Sequence, residues 1–365
     1  MLLTPLPRRV IVPTMSSMLA DEIKGRAHRL GFNLVGVTDP APHVHTAFYS
    51  DWLAQGYHAE MGYLARPDAV AKRSDPRRIM PETRSIVVAG MNYYPGEIHS
   101  PGDFPPTQGL VGRVSRYAWG PDYHEVMLEK LHQLASWIDR HTDQPLTYRA
   151  YVDTGPLLER ELARQADLGW IGKNTNLIHP QHGSYFFLGE LLLDLELKTD
   201  TPPTADRCGN CTACLDACPT GALVAPRNLD ARRCISYLTV ENRAAIPEPL
   251  RPLLGNRVFG CDICQEVCPW NRRFARPTDE SPFKPLHPTL DLVTVLKLDE
   301  SAFRARFRET PLWRPRRQGL LRNAAVVLGN LGDPAATPAL EAARSDPQPL
   351  IADHAAWAIR QIEGC

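Results

Sequence analysis

Two stretches of this chain decide how it is organised: CGNCTACLDACP at residues 208–219 and CDICQEVCP at residues 261–269. Eight of the nine cysteines lie between residues 208 and 268, with Cys234 between the two stretches, and none precedes Cys208. Cysteines that only fill a core are not confined to one segment in this way. The pattern therefore points to a metal centre or to cross-links.

The spacing of these cysteines favours two 4Fe-4S clusters. The first stretch has the form C-x2-C-x2-C-x3-C-P, in which three thiolates bind one cluster and the fourth binds another. The second repeats it with one cysteine fewer, and Cys234 completes the eight thiolates that two clusters need. The predicted ligands of cluster 1 are Cys208, Cys211, Cys214 and Cys268. Those of cluster 2 are Cys218, Cys234, Cys261 and Cys264.

Structural zinc and disulfides are the alternative interpretations. Four-thiolate zinc sites also use C-x2-C pairs, but they do not account for two Cys-Pro endings after an x3 step. Disulfides require an oxidising compartment, and the N-terminal residues lack the apolar stretch of a signal peptide. Cys365 is expected to take no part.

Composition excludes several classes of protein. The 365 residues are 43% hydrophobic and 22% charged, which is typical of globular chains. Because 41 basic residues balance 41 acidic ones, the whole molecule is not a general polyanion binder, and a nucleic acid would need a local basic patch. No apolar run is long enough for a membrane helix, so we expect no membrane association and a cytoplasmic location.

Periodicity predicts four regions. Residues 1–17 form an N-terminal extension, and residues 18–200 form an α+β or α/β domain in which helical stretches at 18–30, 123–140 and 156–168 alternate with strands near 32–37, 85–91, 147–153 and 185–197. Residues 201–280 form a ferredoxin-like two-cluster domain. Residues 281–365 form a basic connector and an α-helical HEAT-like repeat that packs on the cluster domain.

The region before the cysteines offers no familiar cofactor motif. It lacks Gly-x-Gly-x-x-Gly and phosphate-loop signatures. It also lacks the Asp-x-His-x-x-Gly signature of an imidazole-ligated corrinoid, because Asp122-Tyr123-His124 is followed by Glu125-Val126-Met127. The residues alone indicate a two-cluster reductase with an unidentified electron acceptor.

Four further stretches carry a family resemblance: GYHAEM at 56–61, SRYAWGPDYH at 115–124, DTGPLLER at 153–160 and GWIGKNT at 169–175. With the cysteines, they make residues 18–362 resemble the epoxyqueuosine reductases. The resemblance implies a cobalamin in the base-off state beside two 4Fe-4S clusters, and reduction of epoxyqueuosine to queuosine at the wobble position of tRNA. It also implies that two electrons enter and that the epoxide oxygen leaves as water.

Asp153 matches the proton donor of that family and is expected to contact the cobalamin. A buried carboxyl group with a raised pKa could protonate a departing oxygen near neutral pH. The alternative is structural, since Asp or Thr before Gly-Pro is also an ordinary helix N-cap.

The resemblance implies further contacts with the cobalamin. They are Arg116, Tyr117, Gly172, Lys173, Asn174, Leu177, Ser236, Cys261 and Asp262. Arg243 matches a position near the substrate base. The structural alternatives are a surface cation for Arg116, a solvated loop residue for Lys173, a turn former for Asn174 and a helix-surface cation for Arg243.

The expected partners are a tRNA that carries epoxyqueuosine and an external electron donor of the flavodoxin or ferredoxin type. The protein itself is expected to be a monomer. Seven arginines with one acid, Glu309, form a candidate anticodon-stem clamp: Arg304, Arg306, Arg308, Arg314, Arg316, Arg317 and Arg322. Two other functions stay open. One is a dehalogenase-like corrinoid reductase acting on a small molecule, and the other is a non-enzymatic electron-transfer protein.

Overall fold

The computed structural model of the chain describes residues 15–43, 45–96, 109–201 and 205–364. Cys365 and most of the predicted N-terminal extension lie outside the described residues. The strands are β1 Leu34–Thr38, β2 Ser85–Asn92, β3 Val111–Val114, β4 Tyr148–Tyr151, β5 Trp170–Ile171, β6 Leu177–Ile178, β7 Phe186–Leu193, β8 Leu223–Ala225, β9 Asn228–Leu229, β10 Arg257–Phe259 and β11 Thr289–Asp291. The helices are α1 Met15–Arg29, α2 Thr46–Ala54, α3 Pro67–Ser74, α4 Tyr123–Asp139, α5 Glu159–Gln165, α6 Ala213–Asp216, α7 Ile235–Val240, α8 Ile263–Glu266, α9 Pro269–Phe274, α10 Leu292–Leu296, α11 Glu300–Phe307, α12 Arg316–Leu331, α13 Thr337–Ala343 and α14 Pro349–Glu363.

The N-terminal region is built on a four-stranded sheet in the order β1-β2-β7-β4. Every neighbouring pair is antiparallel, and β2 pairs with β7 from Ser85 opposite Leu193 to Asn92 opposite Phe186. Because no pair in this sheet is parallel, the region is α+β, and the α/β alternative does not apply.

Apolar side chains cover both faces of this sheet. The face that carries Val87 and Leu191 packs with residues of α1 and α4, and the face that carries Val88 and Leu192 packs with residues of α5. Burial on both faces is what the continuous apolar run of β2 predicts. The predicted strand at 85–91 and helix at 123–140 are thus confirmed to within one residue.

The helix predicted at 156–168 is shorter than expected, and this changes the position of Asp153. The helix α5 begins at Glu159, after Leu158 as N-cap, and its C-cap is Ala166 rather than Gly169. Asp153 has a φ of +55°, in the left-handed region that residues of helices and strands do not adopt. Residues 153–158 therefore form a loop over the end of the sheet.

The cysteine region consists of short helices and one hairpin. Cys214 lies in α6 and Cys264 in α8, and these two helices pack against each other. The hairpin β8–β9 and the helix α7 separate the two cysteine runs along the chain.

The C-terminal region is helical and packs on the cysteine region, as predicted. Its central helix, α12, has an unbroken buried stretch from Gly319 to Gly329 and packs against α14. One hydrophobic core joins Leu321 of α12 to Leu238 of α7 and Phe259 of β10. Gly332 ends α12 in the left-handed conformation at a φ of +67°.

No helix in the described part of the chain combines the length and the apolar character needed to cross a membrane.

Candidate active site

The structure brings the first predicted group of four cysteines together. They are Cys208, Cys211, Cys214 and Cys268. Burial and then the charges of the other three thiolates raise the pKa of Cys214 to about 11. Cys211 is exposed, whereas Cys268 is buried. Since such crowding of thiolates is unfavourable without a cation, the four positions suit an iron–sulfur cluster.

The second group lies at the wall of a cavity. Its members are Cys218, Cys234, Cys261 and Cys264. Burial raises the pKa of Cys261 to about 12, with Cys234 as a close thiolate neighbour. The pKa of Cys264 is raised by burial and by nearby thiolates, which include Cys214 of the first group. The two groups therefore adjoin, which electron transfer between two clusters requires.

Donors of the protein hold several of these sulfur atoms in place. The Trp170 indole N–H donates to Cys208 Sγ over 3.4 Å, and the Ala222 backbone N–H donates to Cys218 Sγ over 3.3 Å. Such hydrogen bonds orient thiolates and tune the potential of a bound cluster.

The cavity has a volume of about 430 Å³ and lies where the N-terminal sheet meets the cysteine region. Residues of β7, the 153–160 segment, the loop before β6 and the second cysteine group all contribute to its wall. Asp153 and the four predicted ligands of cluster 2 thus line the same space.

Asp153 reaches this cavity through its unusual backbone conformation. Its Oδ2 accepts a hydrogen bond from the Tyr123 hydroxyl over 2.9 Å and lies 3.7 Å from His124 Nε2. Its backbone N–H donates to Glu159 Oε1 over 2.6 Å. The N-cap alternative is wrong, because α5 starts six residues later and Leu158 occupies its cap.

The expected raised pKa of Asp153 is also wrong. The cavity walls limit hydration of its carboxylate, but contacts with His124 and Tyr123 outweigh this and lower its pKa. The side chain is 63% exposed to the open cavity. His124 also bonds Asp122 over 2.6 Å, and its carboxylate partners overcome burial and raise its pKa to about 9.

Sequence reasoning missed two carboxylic acids beside Asp153. Burial and then the charge of Asp153 raise the pKa of Glu159 to about 8. Glu190, on β7, is 0% exposed, and its pKa is raised by burial and by the charges of Glu159 and Asp153. Glu159 lies in the stretch DTGPLLER, which the sequence analysis had singled out for other residues. For Glu190 the sequence signal was a single glutamate within the apolar run FFLGELLL.

Seven of the residues predicted to contact a cobalamin line the cavity. They are Tyr117, Asp153, Asn174, Leu177, Ser236, Cys261 and Asp262. The Asn174 amide donates to the Cys264 carbonyl over 3.2 Å, so it links the loop before β6 to the second cysteine group.

Two other predicted cobalamin contacts, Lys173 and Gly172, and the predicted substrate contact Arg243 are not among the residues of the cavity wall. The Lys173 ammonium donates to the carbonyls of Gly209 and Cys211, over 2.6 Å and 2.9 Å, and so supports the first cysteine run instead. Gly172 is buried at the same turn. Arg243 donates to the Arg314 carbonyl over 2.7 Å and lies outside the wall.

The third predicted cobalamin contact outside the wall is Arg116, which is not a surface cation either. Its guanidinium is 1% exposed and bonds Asp262 over 3.2 Å and Glu266 over 2.7 Å. Arg113 bonds the same Glu266 oxygen over 2.9 Å. The expected cofactor contact of Arg116 is replaced by a buried network that holds Asp262 in the wall.

The arginines of the predicted clamp do not act as one group. Arg322 is 0% exposed and donates to the carbonyls of Leu238, Asn242 and Ala244, so it is structural. Arg317 is half-buried and bonds Asp346. At least two of the seven arginines are therefore engaged within the protein and are not available to a tRNA.

Two other arginines of the segment are exposed, and one of them lies near Asp153. Arg314 is exposed, bonds Glu241 over 2.8 Å and faces Asp153 and the exposed Tyr63. Arg316 is also exposed and adds to the positive field around Arg243. Arg314 thus brings positive charge to the vicinity of Asp153, where Glu241 partly balances it.

Taken together, the two cysteine groups and the adjoining acidic cavity define a two-cluster iron–sulfur reductase. Comparison with known proteins is specific. Residues 207–271 match the family model described as a 4Fe-4S double cluster binding domain, and residues 73–154 match the one described as Epoxyqueuosine reductase QueG, DUF1730.

Whole-chain relatives agree with these matches. The chain is 45% identical over 354 residues to the epoxyqueuosine reductase of Pseudomonas aeruginosa, which covers 96% of both chains. It is 42% identical to that of Escherichia coli K12 over 96% of this chain and 91% of the relative. A crystal structure of epoxyqueuosine reductase with an epoxyqueuosine-modified tRNA-Tyr stem loop is similar with a TM-score of 0.85 and 33% identity, over 94% of this chain and 90% of that one. The chain belongs to the epoxyqueuosine reductase family.

Proposed function

We propose that this chain is an oxidoreductase that reduces epoxyqueuosine to queuosine at the wobble position of tRNA. The observation that carries the proposal is the shared wall on which Asp153 and the second cysteine group meet. Reduction of an epoxide to an alkene consumes two electrons and two protons and releases water. A wall that combines an electron source with an acid has what this reaction needs.

The electrons come from two 4Fe-4S clusters with the ligand sets given above. The exposed Cys211 lies in the first group, and the second group lines the cavity. Electrons therefore enter at cluster 1 from an external donor of the flavodoxin or ferredoxin type and leave from cluster 2. The double-cluster family model over residues 207–271 supports iron–sulfur clusters rather than zinc.

The residues of the cavity wall suit a base-off cobalamin. The described residues of the wall include no histidine, which agrees with a cobalamin that the protein would hold without an imidazole of its own. Asn174, Ser236 and Asp262 would hold the amide groups at the rim of the cofactor, with Tyr117 and Leu177 against its apolar surface. When bound, the cobalamin supplies low-potential reducing chemistry at the epoxide.

Asp153 serves as a proton donor to the departing oxygen. Cofactor and substrate displace the water that reaches this side chain in the open cavity, and the loss of hydration favours its protonated form. Tyr123 and His124 orient the carboxyl group.

The tRNA contacts the mouth of the cavity. Arg314 and Arg316, with Arg243 behind them, offer positive charge to the phosphates around a base turned into the cavity. The relative that was crystallised with a modified tRNA stem loop supports this class of substrate.

The predicted regions also stand as proposals. Residues 18–200 bind the cobalamin, residues 201–280 hold the clusters, and the helical tail is a HEAT-like repeat. The protein works as a monomer in the cytoplasm.

The test is an anaerobic assay with the protein reconstituted with iron, sulfide and cobalamin. We expect about eight iron ions per chain, corrin absorbance that survives gel filtration, and conversion of an epoxyqueuosine stem loop to queuosine, measured by mass spectrometry of the nucleosides. Loaded protein that leaves epoxyqueuosine unchanged in the presence of a strong reductant would overturn the proposed function.

A further inference from the structure

Two glutamates beside Asp153 have no part in the reaction as described above. Glu159 lines the cavity, and its Oε1 accepts the backbone N–H of Asp153 over 2.6 Å. Glu190 lies on β7, which packs against α5, and is 0% exposed. Among the described residues, neither carboxyl oxygen of Glu190 has a hydrogen-bond partner.

The surroundings of Glu190 are apolar. It shares a strand face with Leu188 and Leu192, which belong to the hydrophobic core beneath α5. An unpaired carboxylate there would lose its hydration without compensation, whereas a neutral carboxylic acid loses far less. Glu190 is therefore the uncharged member of the group, in agreement with the raised direction of its pKa.

The charges that face these glutamates come from a few elements. Asp153, Arg160 and His124 face Glu159, and Glu159 and Asp153 face Glu190. Arg160 is exposed and donates to the Thr175 carbonyl over 2.8 Å. On α5, Glu161 is already paired with Arg164 and His45. Tyr151 of β4 lies opposite Glu190 in the antiparallel strand register. The strands β1 and β2 contain no ionisable residue.

Epoxide reduction needs more protons than Asp153 alone can supply. Two C–O bonds break, one C=C bond forms, and the oxygen takes up two protons as it leaves as water. Asp153 provides at most one proton per turnover. The lowered pKa of Asp153 keeps it ionised in the open cavity at neutral pH, whereas the pKa of Glu159, raised to about 8 by burial and by the charge of Asp153, keeps Glu159 protonated.

We propose that Glu159 is the second proton donor of this site and that Glu190 stays neutral behind it. Asp153 and Glu159 each give one proton to the departing oxygen, the clusters supply the two electrons, and water restores both protons after the product leaves. This inference rests on the proposed function for its chemistry. The protonation of the two glutamates is a property of the protein itself.

The kinetic test is the single-turnover rate as a function of pH, measured with loaded enzyme and saturating stem loop. If both acids are needed, the fall of log rate with pH steepens by one proton at the pH at which Glu159 ionises in the bound complex. Glu159→Gln keeps an acceptor for the Asp153 N–H but carries no acidic proton. We expect its rate to be lower by about 10²-fold or more, without the steepening.

Two further variants serve as controls. Glu190→Gln replaces a neutral acid by a neutral amide, so the position of the steepening should not move. A shift to lower pH by one unit would mean that Glu190 carries charge and would overturn its assignment. Glu129→Gln removes an exposed carboxylate of α4 and should behave as the wild type does.

Infrared spectroscopy gives a readout that does not depend on activity. The loaded protein without tRNA should show a protonated-carboxyl band that disappears as pH rises through about 8 and is absent in Glu159→Gln. A second band should persist to higher pH and be absent in Glu190→Gln. The lack of a titrating band would overturn the inference.

The two proposals fail in different ways. Wild-type protein that shows the titrating band but leaves epoxyqueuosine intact contradicts the proposed function alone. Active wild-type protein whose Glu159→Gln variant keeps both the rate and the steepening contradicts the proton donor, because Glu159 then only positions the loop.

Discussion

Replacing Arg116 by methionine should destabilise the protein severely, although the sequence suggests a residue at a cofactor surface. The guanidinium is 1% exposed and contacts two carboxylates that are 7% and 2% exposed. Methionine fills most of the volume but leaves Asp262 and Glu266 with Arg113 as their remaining cation within the network. A net negative charge then stays buried.

The size of the effect follows from these contacts. At an effective dielectric constant of about 20, charges about 4 Å apart attract each other by about 4 kcal/mol, so two contacts represent about 8 kcal/mol before desolvation is considered. Removing the guanidinium also removes its own desolvation penalty. Breaking a buried pair at one side typically lowers the free energy of unfolding by about 3–5 kcal/mol, and we expect this range.

Urea denaturation of the anaerobically reconstituted protein measures the change. With a slope of about 3 kcal/mol per molar urea, the midpoint should fall by about 1–2 M. Arg344→Met, at an exposed pair with Glu341, should change stability by no more than about 0.5 kcal/mol. Adding Glu266→Gln to Arg116→Met restores neutrality and should recover about 1–2 kcal/mol.

One result would refute this reasoning. If Arg116→Met unfolds within about 1 kcal/mol of the wild type but loses its affinity for cobalamin, the side chain belongs to the cofactor surface, as the family resemblance implies. The buried network would then contribute little to the fold.

Three other predictions test the site. Cys234→Ala should remove one cluster and lower the iron content from about eight to about four per chain, and an unchanged content would exclude Cys234 as a ligand. Asp153→Asn should lower turnover by about 10²–10⁴-fold with intact clusters, because asparagine tolerates the left-handed backbone but carries no acidic proton, and near-normal turnover would remove Asp153 from the chemistry. Arg314→Glu combined with Arg316→Glu should weaken stem-loop binding and flatten its salt dependence, measured by fluorescence anisotropy, whereas Arg344→Glu should not. If the double variant binds the stem loop as tightly as Arg344→Glu does, the tRNA contacts a different surface.

Local patterns in the sequence determined much of the fold. The spacing of the cysteines predicts two groups of four because cysteines at x2 spacing bind the same cluster, whereas the cysteine after an x3 step binds the other one. The apolar run of β2 and the helical period of α4 each depend on neighbours within one element, and both predictions were confirmed. The left-handed glycine after α12 is likewise a local signal.

The tertiary structure alone decided the environment of each charge. Asp153 has Tyr123 and His124 as partners from 30 residues earlier in the chain, and these lower a pKa that the sequence led us to expect raised. Arg116 and Arg322 are ordinary arginines in the sequence, yet both are buried.

Glu190 shows the same limit most clearly. One polar residue in an apolar strand does not reveal whether its carboxyl group faces a cation, water or another acid. A pKa depends on burial and on charges brought close by chain segments far apart in sequence, so the tertiary structure determines it. Residue spacing determines only which contacts neighbours along the chain can make.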